Sequence, residues 1–381
     1  MNSRFWNRVA HVCTGIAATI ALAYAEPGVL EDKIVIGQSA ALSGPAKFLG
    51  SEMREGAMAY FSMLNANGGV HGRKIELITL DDSYEPDRAA ANTRKLIDQN
   101  KVFALFGYVG TPTSLAAMPV FTEAKVPFFA PFTGAEALRQ PFNRHVFNIR
   151  ASYSEETEKL VRHALGLNLS KIAVFYQNDA YGKAGLEGVQ QALERRGLAM
   201  TAVATVERNS TNVADAVKKL AAAKPDTVIM ISAYKSCATF IKEMQAQGST
   251  AHFYNVSFVG SRPLADELGD EGAGVVISQV MPFPFEAVKP IVREYRAAMQ
   301  RFEPKAPISF TSLEGFVAAK VFVEGLRRAG PQPTRESLMQ AFEKMEEYDA
   351  GGFKVGFSAG NHSRSKFVDL TVLQRGGRFR N

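Results

Sequence analysis

Cysteine is nearly absent from this chain, whose 381 residues carry two, Cys13 and Cys237. Cys13 lies in an N-terminal stretch that reads as a cleaved leader, so one thiol remains and no intramolecular disulfide is expected even in an oxidising compartment. Cys237 keeps register with Phe240, Ile241 and Met244 on one helix face, which predicts a buried core thiol. The only tryptophan, Trp6, would leave with the leader. Five further histidines, His71, His145, His163, His252 and His362, are scattered singly without metal-ligand spacing. There is no Walker loop, no GxGxxG turn, no GxSxG elbow and no carboxylate pair at acid–base spacing. Nucleotide, dinucleotide and hydrolytic chemistry are therefore not expected, and neither is a cofactor or a metal. Lysine and arginine form no runs, which argues against nucleic acid.

What is present is an ordinary globular composition, 46% hydrophobic and 22% charged, long enough for two cored domains. Residues 1–25 place Arg4 and Arg8 ahead of an apolar run, Val12 to Ala23, that closes on Ala23-Tyr24-Ala25. This predicts a secretory signal cleaved before Glu26, too short for a membrane anchor, and an exported, soluble mature chain. The formal charge of +6 would fall once Arg4 and Arg8 are removed, leaving 42 basic against 38 acidic residues.

From Lys33 onward strands and helices alternate. KIVIGQ, RKIELITLDD, the run Val102 to Phe106 and a strand at 127–132 each lead into a turn and then a helix, as does KIAVFYQND further on. That alternation predicts parallel sheets covered on both faces. LAMTAVATV, TVIMISAY and HFYNVSF read as further strands, and helices alone are expected at about 288–302, 309–328 and 334–345. The stretch Phe103 to Phe121 is the one on which the reading turns. A buried strand stops at Gly107 and Gly110, and Thr111-Pro112 then opens a helix with free amides expected at Thr113 and Ser114. A helix start at the carboxyl end of a parallel strand is an anion site, and open α/β sheets bind ligands there. Phe48, Thr111, Phe132, Thr133, Tyr153, Tyr181 and Tyr234 all fall just beyond expected strands or where one lobe passes into the next. Each alone reads as packing or capping; their shared place points to a ligand cleft.

The motifs IVIGQSAALSGPAKFLG, NANGGVHGRKIEL, DDSYEPDRA, FGYVGTPTS, PFFAPFTGAEAL and NDAYGKAGLEG, in that order, resemble the periplasmic substrate-binding proteins of ABC importers for branched-chain amino acids. The resemblance implies the type I periplasmic binding fold: two Rossmann-like lobes with parallel-sheet cores, joined by three hinge crossings around a ligand cleft. Lobe one would comprise 26–150 plus 282–350, and lobe two 151–281 plus 351–381. It also implies roles. Thr111 takes the hydroxyl position that holds a ligand carboxylate, while Phe132 and Gly134 take backbone positions. Gly134 stands where the amino-acid binders have threonine, so Thr133 is expected to supply that hydroxyl. Phe48 matches an aromatic wall, and Tyr181 and Tyr234 match tyrosines that close lobe two over the ligand. Ser257 falls where the amino-acid binders have the glutamate that meets the ligand ammonium, leaving Glu155 or Asp179 as replacements. A lobe-one disulfide of some relatives would fall at Tyr84 and Gly110, and both cysteines are missing.

The function so implied is that of a non-enzymatic, monomeric periplasmic protein that binds a small carboxylate-bearing ligand, an amino acid or related organic acid, and delivers it to an inner-membrane ABC permease. A carboxylate without an α-ammonium is the expected preference, because a buried unpaired ammonium costs several kcal/mol. The alternatives are an ordinary branched-chain amino-acid receptor, a sensory protein signalling to a membrane kinase, and, more remotely, an exported α/β enzyme.

Overall fold

A computed structural model describes residues 26–381; the expected signal segment, with Cys13 and Trp6, lies outside the described residues. Five strands, β1 (Lys33–Ala40), β2 (Lys74–Asp81), β3 (Ala104–Phe106), β4 (Phe128–Phe129) and β5 (Val146–Phe147), form one parallel sheet in the order β2-β1-β3-β4-β5. Side chains alternate across it. Val35, Leu105 and Phe128 join one core with Leu96 and Phe121 from helices α2 (Pro86–Asp98) and α3 (Thr111–Glu123). Ile34, Ile36, Phe106 and Phe129 face the other way, toward α1 (Lys47–Ala66). With both faces covered the strands need no polar side, which is why they read as near-continuous apolar runs.

The chain crosses to lobe two between β5 and α4 (Tyr153–Gly166). There β6 (Ile172–Gln177), β7 (Val203–Val206), β8 (Thr227–Ile231), β9 (His252–Asn255) and β10 (Val276–Gln279) pair in parallel. They alternate with α5 (Ala180–Glu194), α6 (Ala214–Ala223), α7 (Tyr234–Ala246) and α8 (Ser261–Leu268). After β10 the chain returns to lobe one as α9 (Pro290–Phe302), α10 (Phe310–Ala329) and α11 (Arg335–Glu343). α10 packs along α1; Phe342 stacks on Phe129, and Phe322 meets it edge-on. A small hairpin, β11 (Tyr348–Asp349) with β12 (Lys354–Val355), follows. Last, β13 (Asp369–Gln374) and β14 (Arg378–Arg380) add antiparallel to β10, giving the order β14-β13-β10-β9-β8-β6-β7.

Three expectations are corrected. The final crossing lies later than residue 350, because Phe357 packs on Phe147 and Phe342 and the His362 ring stacks 3.8 Å from Phe147. These contacts keep the chain on lobe one until shortly before Asp369. HFYNVSF is a strand only to Asn255; a 3₁₀ turn, Ser257–Val259, replaces its end and leads into α8, a short helix that its Pro263 hid from periodicity. The short helix expected after the Thr133-Gly134 turn is a single 3₁₀ turn, Glu136–Leu138. Cys237 is buried as expected.

Candidate functional site

The lobe-one wall begins where β3 ends. A bridge between Val109 and Phe132 ties the loop after β3 to the loop after β4, with Gly110 N donating to the Phe132 carbonyl at 3.2 Å. The α3 start therefore stands beside the Thr133-Gly134 turn, and the Thr111 and Thr133 hydroxyls meet at 2.6 Å. Thr133 Oγ1 also lies 3.2 Å from the Tyr153 hydroxyl and accepts from Ala135 N at 3.3 Å. The helix start sits one residue earlier than the sequence suggested. Gly110 is the N-cap, so Thr111 is the first helical residue and its hydroxyl is turned toward Thr133. The Ser114 amide, expected to be free, donates to the Gly110 carbonyl, and the Thr113 hydroxyl bonds back to Val109 and Gly110 carbonyls.

Two glycines are dictated here by close approach. Gly110 has φ 99°, and a Cβ on it would lie 2.2 Å from Tyr84 Cε2. Tyr84 and Gly110, the positions at which the resemblance implies a disulfide in some relatives, meet here as a ring packed on a bare backbone. A Cβ on Gly134 would lie 2.7 Å from Tyr153 Cδ1, and the Gly134 carbonyl accepts from Tyr153 N at 2.7 Å. A threonine at 134 would collide with Tyr153 as it is placed, whereas Thr133 is free to present its hydroxyl.

Lobe two faces this wall with helix starts. Tyr153 and Tyr234 are the first residues of α4 and α7, and Tyr181 is the second of α5; all three are buried. Tyr153 and Tyr181 lie 5.4 Å apart between ring centres. Phe48 stands apart from them. It is 41% exposed at the start of α1, with its ring 6.0 Å from Tyr234 and the Lys47 ammonium 4.9 Å from it, so it forms a rim between the lobes and not an inner wall.

Ser257 does not stand alone. Its amide and hydroxyl donate to Glu156 at 2.7 and 3.0 Å, and it also contacts Arg150. Arg150 is fully buried at the first crossing, with its guanidinium 3.5 Å from Glu156, 3.6 Å from Glu314 and 4.8 Å from the centre of the Phe132 ring. Burial pushes the Glu314 carboxyl up to about 7, Arg150 acting against the shift. Burial also raises Glu156 above its ordinary range, against the pull of Arg150 and the Ser278 and Ser257 donors. The two suggested replacements at the ammonium position both serve as helix caps. Glu155 accepts from Ser152 N in a capping box, and Asp179 caps α5 through the Tyr181 and Gly182 amides. The carboxylate that reaches Ser257 is Glu156, one residue beyond the sequence-based choice.

Arg150, Glu156 and Glu314 escaped the sequence reading because they lie far apart in the chain and resemble ordinary helix and loop charges. The one available signal was an arginine closing the apolar run VFNI at a lobe crossing. A clasp across the cleft escaped it too. Arg208 of lobe two bonds Glu85 of lobe one at 2.9 Å and lies 3.4 Å from Asp179. Asn209 donates to the Ser83 carbonyl and to Glu85, and Gln177 Nε2 donates to the Tyr84 hydroxyl at 3.3 Å.

Beside Thr111 the two lobes flank an open pocket of about 190 Å³, walled by Leu115, Ala135 and Glu136 on one side and Ser154, Ala180, Lys183 and Glu187 on the other. A larger polar pocket of about 340 Å³ lies elsewhere, near Arg139, Asn143 and His362, and of the residues expected at the ligand it includes Glu155 alone.

Known proteins bear on this arrangement. A periplasmic binding protein family pattern matches residues 33–378. The crystal structure of a possible leucine/isoleucine/valine-binding protein from Rhodopirellula baltica SH 1 is 34% identical, covers 94% of this chain and 97% of its own, and superposes with a TM-score of 0.88. For a substrate-binding periplasmic protein from Ralstonia solanacearum the corresponding values are 35%, 91%, 99% and 0.86. The Leu/Ile/Val-binding protein homolog 7 of Brucella abortus is 25% identical over 90% of this chain and 85% of its own length. One family pattern runs from the first strand to the last, and both solved relatives share the two-lobed fold: the chain belongs to the periplasmic binding protein family.

Proposed function

We propose that this protein is the solute-binding component of an ABC importer, exported to the periplasm, where it takes a small carboxylate-bearing molecule between its lobes and presents it to an inner-membrane permease. The observation that carries this reading is the pocket at Thr111, walled by both lobes. A ligand carboxylate at its floor would lie beside Thr111 at the positive end of α3, where the Thr111 hydroxyl, now paired with Thr133, would turn to it, and the Lys183 ammonium on the opposite wall would offset Glu136 and Glu187 at the rim. Several hydrogen bonds to a charged group, each ~1.5–3 kcal/mol, together with apolar burial, are enough for micromolar binding at about −8 kcal/mol. Contact from both lobes makes the ligand favour the closed form, which is what a permease would recognise.

A second reading, a zwitterionic amino acid as ligand, is favoured by Glu314, whose buried Oε1 has no hydrogen-bond partner. Against it, Glu156 is already committed to Arg150, Ser257 and Ser278. Mass spectrometry of molecules released from natively purified protein, followed by calorimetry, separates the two. An organic acid without an α-ammonium is expected as the tightest ligand. Leucine, isoleucine or valine in that place would establish the second reading, and binding by neither class would reject both.

A further inference from the structure

One buried side chain of lobe two reaches into the cleft without any role so far. The 3₁₀ turn Ser257–Val259 is closed by Gly260 in the left-handed region at φ 81°, which makes the chain reverse and directs Phe258 toward lobe one. Its fully buried ring lies 5.9 Å from Tyr84, 5.2 Å from Phe132 and 4.6 Å from Tyr181, centre to centre. Tyr84 and Phe132 belong to lobe one and Tyr181 to lobe two, so Phe258 is the ring at which the aromatic layers of the two lobes meet. It also stands next to the ligand end. Phe132 precedes Thr133 in the chain, and Tyr181 packs on Tyr153, whose hydroxyl lies 3.2 Å from Thr133.

Resting on the carboxylate reading above, we propose that Phe258 is the specificity-determining residue of the interlobe site: it fills the space among Tyr84, Phe132 and Tyr181, on the inner side of the Thr111–Thr133 hydroxyl pair from the pocket beside Thr111, and so limits the length of the ligand body. The aromatic box is the place for that body. Beyond it, Tyr84 is held by Gln177 and by the bare Gly110 backbone, and Phe132 lies under the Arg150 guanidinium, so neither ring is free to yield. Phe258 is carried on a single short turn, and its removal leaves space lined by rings and no new charge. An apolar cavity of that kind accepts an alkyl or aryl group.

The test compares the full mature chain with Phe258→Ala and Phe258→Leu, using sodium propionate, hexanoate, octanoate and phenylacetate in calorimetry and thermal melts. Melts without ligand show whether each variant is folded, and the leucine variant serves if the alanine variant is not. Propionate affinity should change little. Octanoate and phenylacetate should bind Phe258→Ala roughly tenfold or more tighter than the parent, as about fourfold per additional buried methylene predicts. Phe258→Leu should show a smaller shift in the same direction. A purely structural role would weaken all four acids together, and that result, or an unchanged ranking, overturns the proposal while leaving the carboxylate reading intact. If none of the acids binds the parent or either variant, the carboxylate reading fails and the proposal falls with it.

Discussion

At the scale of single residues, three side chains carry distinct consequences. Thr111→Val keeps the shape of the α3 start but removes the hydroxyl that meets Thr133. It should weaken ligand binding by about 1–3 kcal/mol, tenfold or more, with little change in the ligand-free melting temperature; unaltered affinity in calorimetry would place the anion elsewhere. Gly134→Thr restores the residue of the amino-acid binders, yet its Cβ would press on Tyr153. It should cost ~1–3 kcal/mol of stability and confer no leucine binding; a variant as stable as the parent that binds leucine would refute the steric account. Glu52 concerns pH. It is buried on α1, accepts from Ser309 Oγ at 2.7 Å, and burial lifts its carboxyl from 4.5 to about 8. Because the folded value lies above the unfolded one, the folded state holds the extra proton between them. The contribution is complete below 4.5 and is lost as pH rises through about 8. Asp82, lifted by burial to about 6, and Glu314, lifted to about 7, act in the same sense at lower pH. Thermal melts should therefore fall from mildly acidic to mildly basic pH, and Glu52→Gln should flatten the upper part of that fall; an unchanged slope would assign it to other groups. Such buried carboxylates were not legible in the sequence. Glu52 has the sequence context of an ordinary helix charge, and only the arrival of Ser309 from far along the chain reveals its environment.

At the scale of elements, legibility followed periodicity and length. The strands of both sheets and the long helices announced themselves through apolar runs and capping residues, because burial on both faces writes a strong local pattern. The 3₁₀ turn at Ser257 and the eight-residue α8 did not, since so short an element has too few periods to register, and tertiary contacts fix it. The hydroxyls and tyrosines gathered between the lobes were legible for a related reason. They occupy helix starts, which sequence marks well, and parallel topology gathers the carboxyl ends of strands at one edge. The start of α3 offers the direct test. Gly110→Ala would strain a backbone at φ 99° and displace the Tyr84 ring. The expected loss is about 1–3 kcal/mol from the strained residue alone. Amide exchange should quicken at Gln177, which holds Tyr84, if the displacement is transmitted across the cleft.

At the scale of the whole molecule, the clasp of Arg208 and Asn209 on Ser83 and Glu85 ties one lobe to the other, and parting the lobes would break it. Its groups are partly exposed, so the pair contributes only ~0–1 kcal/mol and is weakened by salt. Arg208→Ala should thus shift a fraction of ligand-free molecules to a larger radius in small-angle scattering, with saturating ligand restoring the smaller one; identical curves for parent and variant without ligand would show that the clasp does not bias closure. The three crossings have a different consequence, one for the order in which the chain takes shape. The lobe-one sheet is complete at Phe147, but the helices that join α1 over one of its faces come from 290–343, and the lobe-two sheet waits for Asp369–Gln374. Neither half closes its core until the last part of the polypeptide has arrived. A chain threaded through a translocation pore from its N-terminus would therefore stay pliable for most of the passage and lock only once its final strands emerge on the far side.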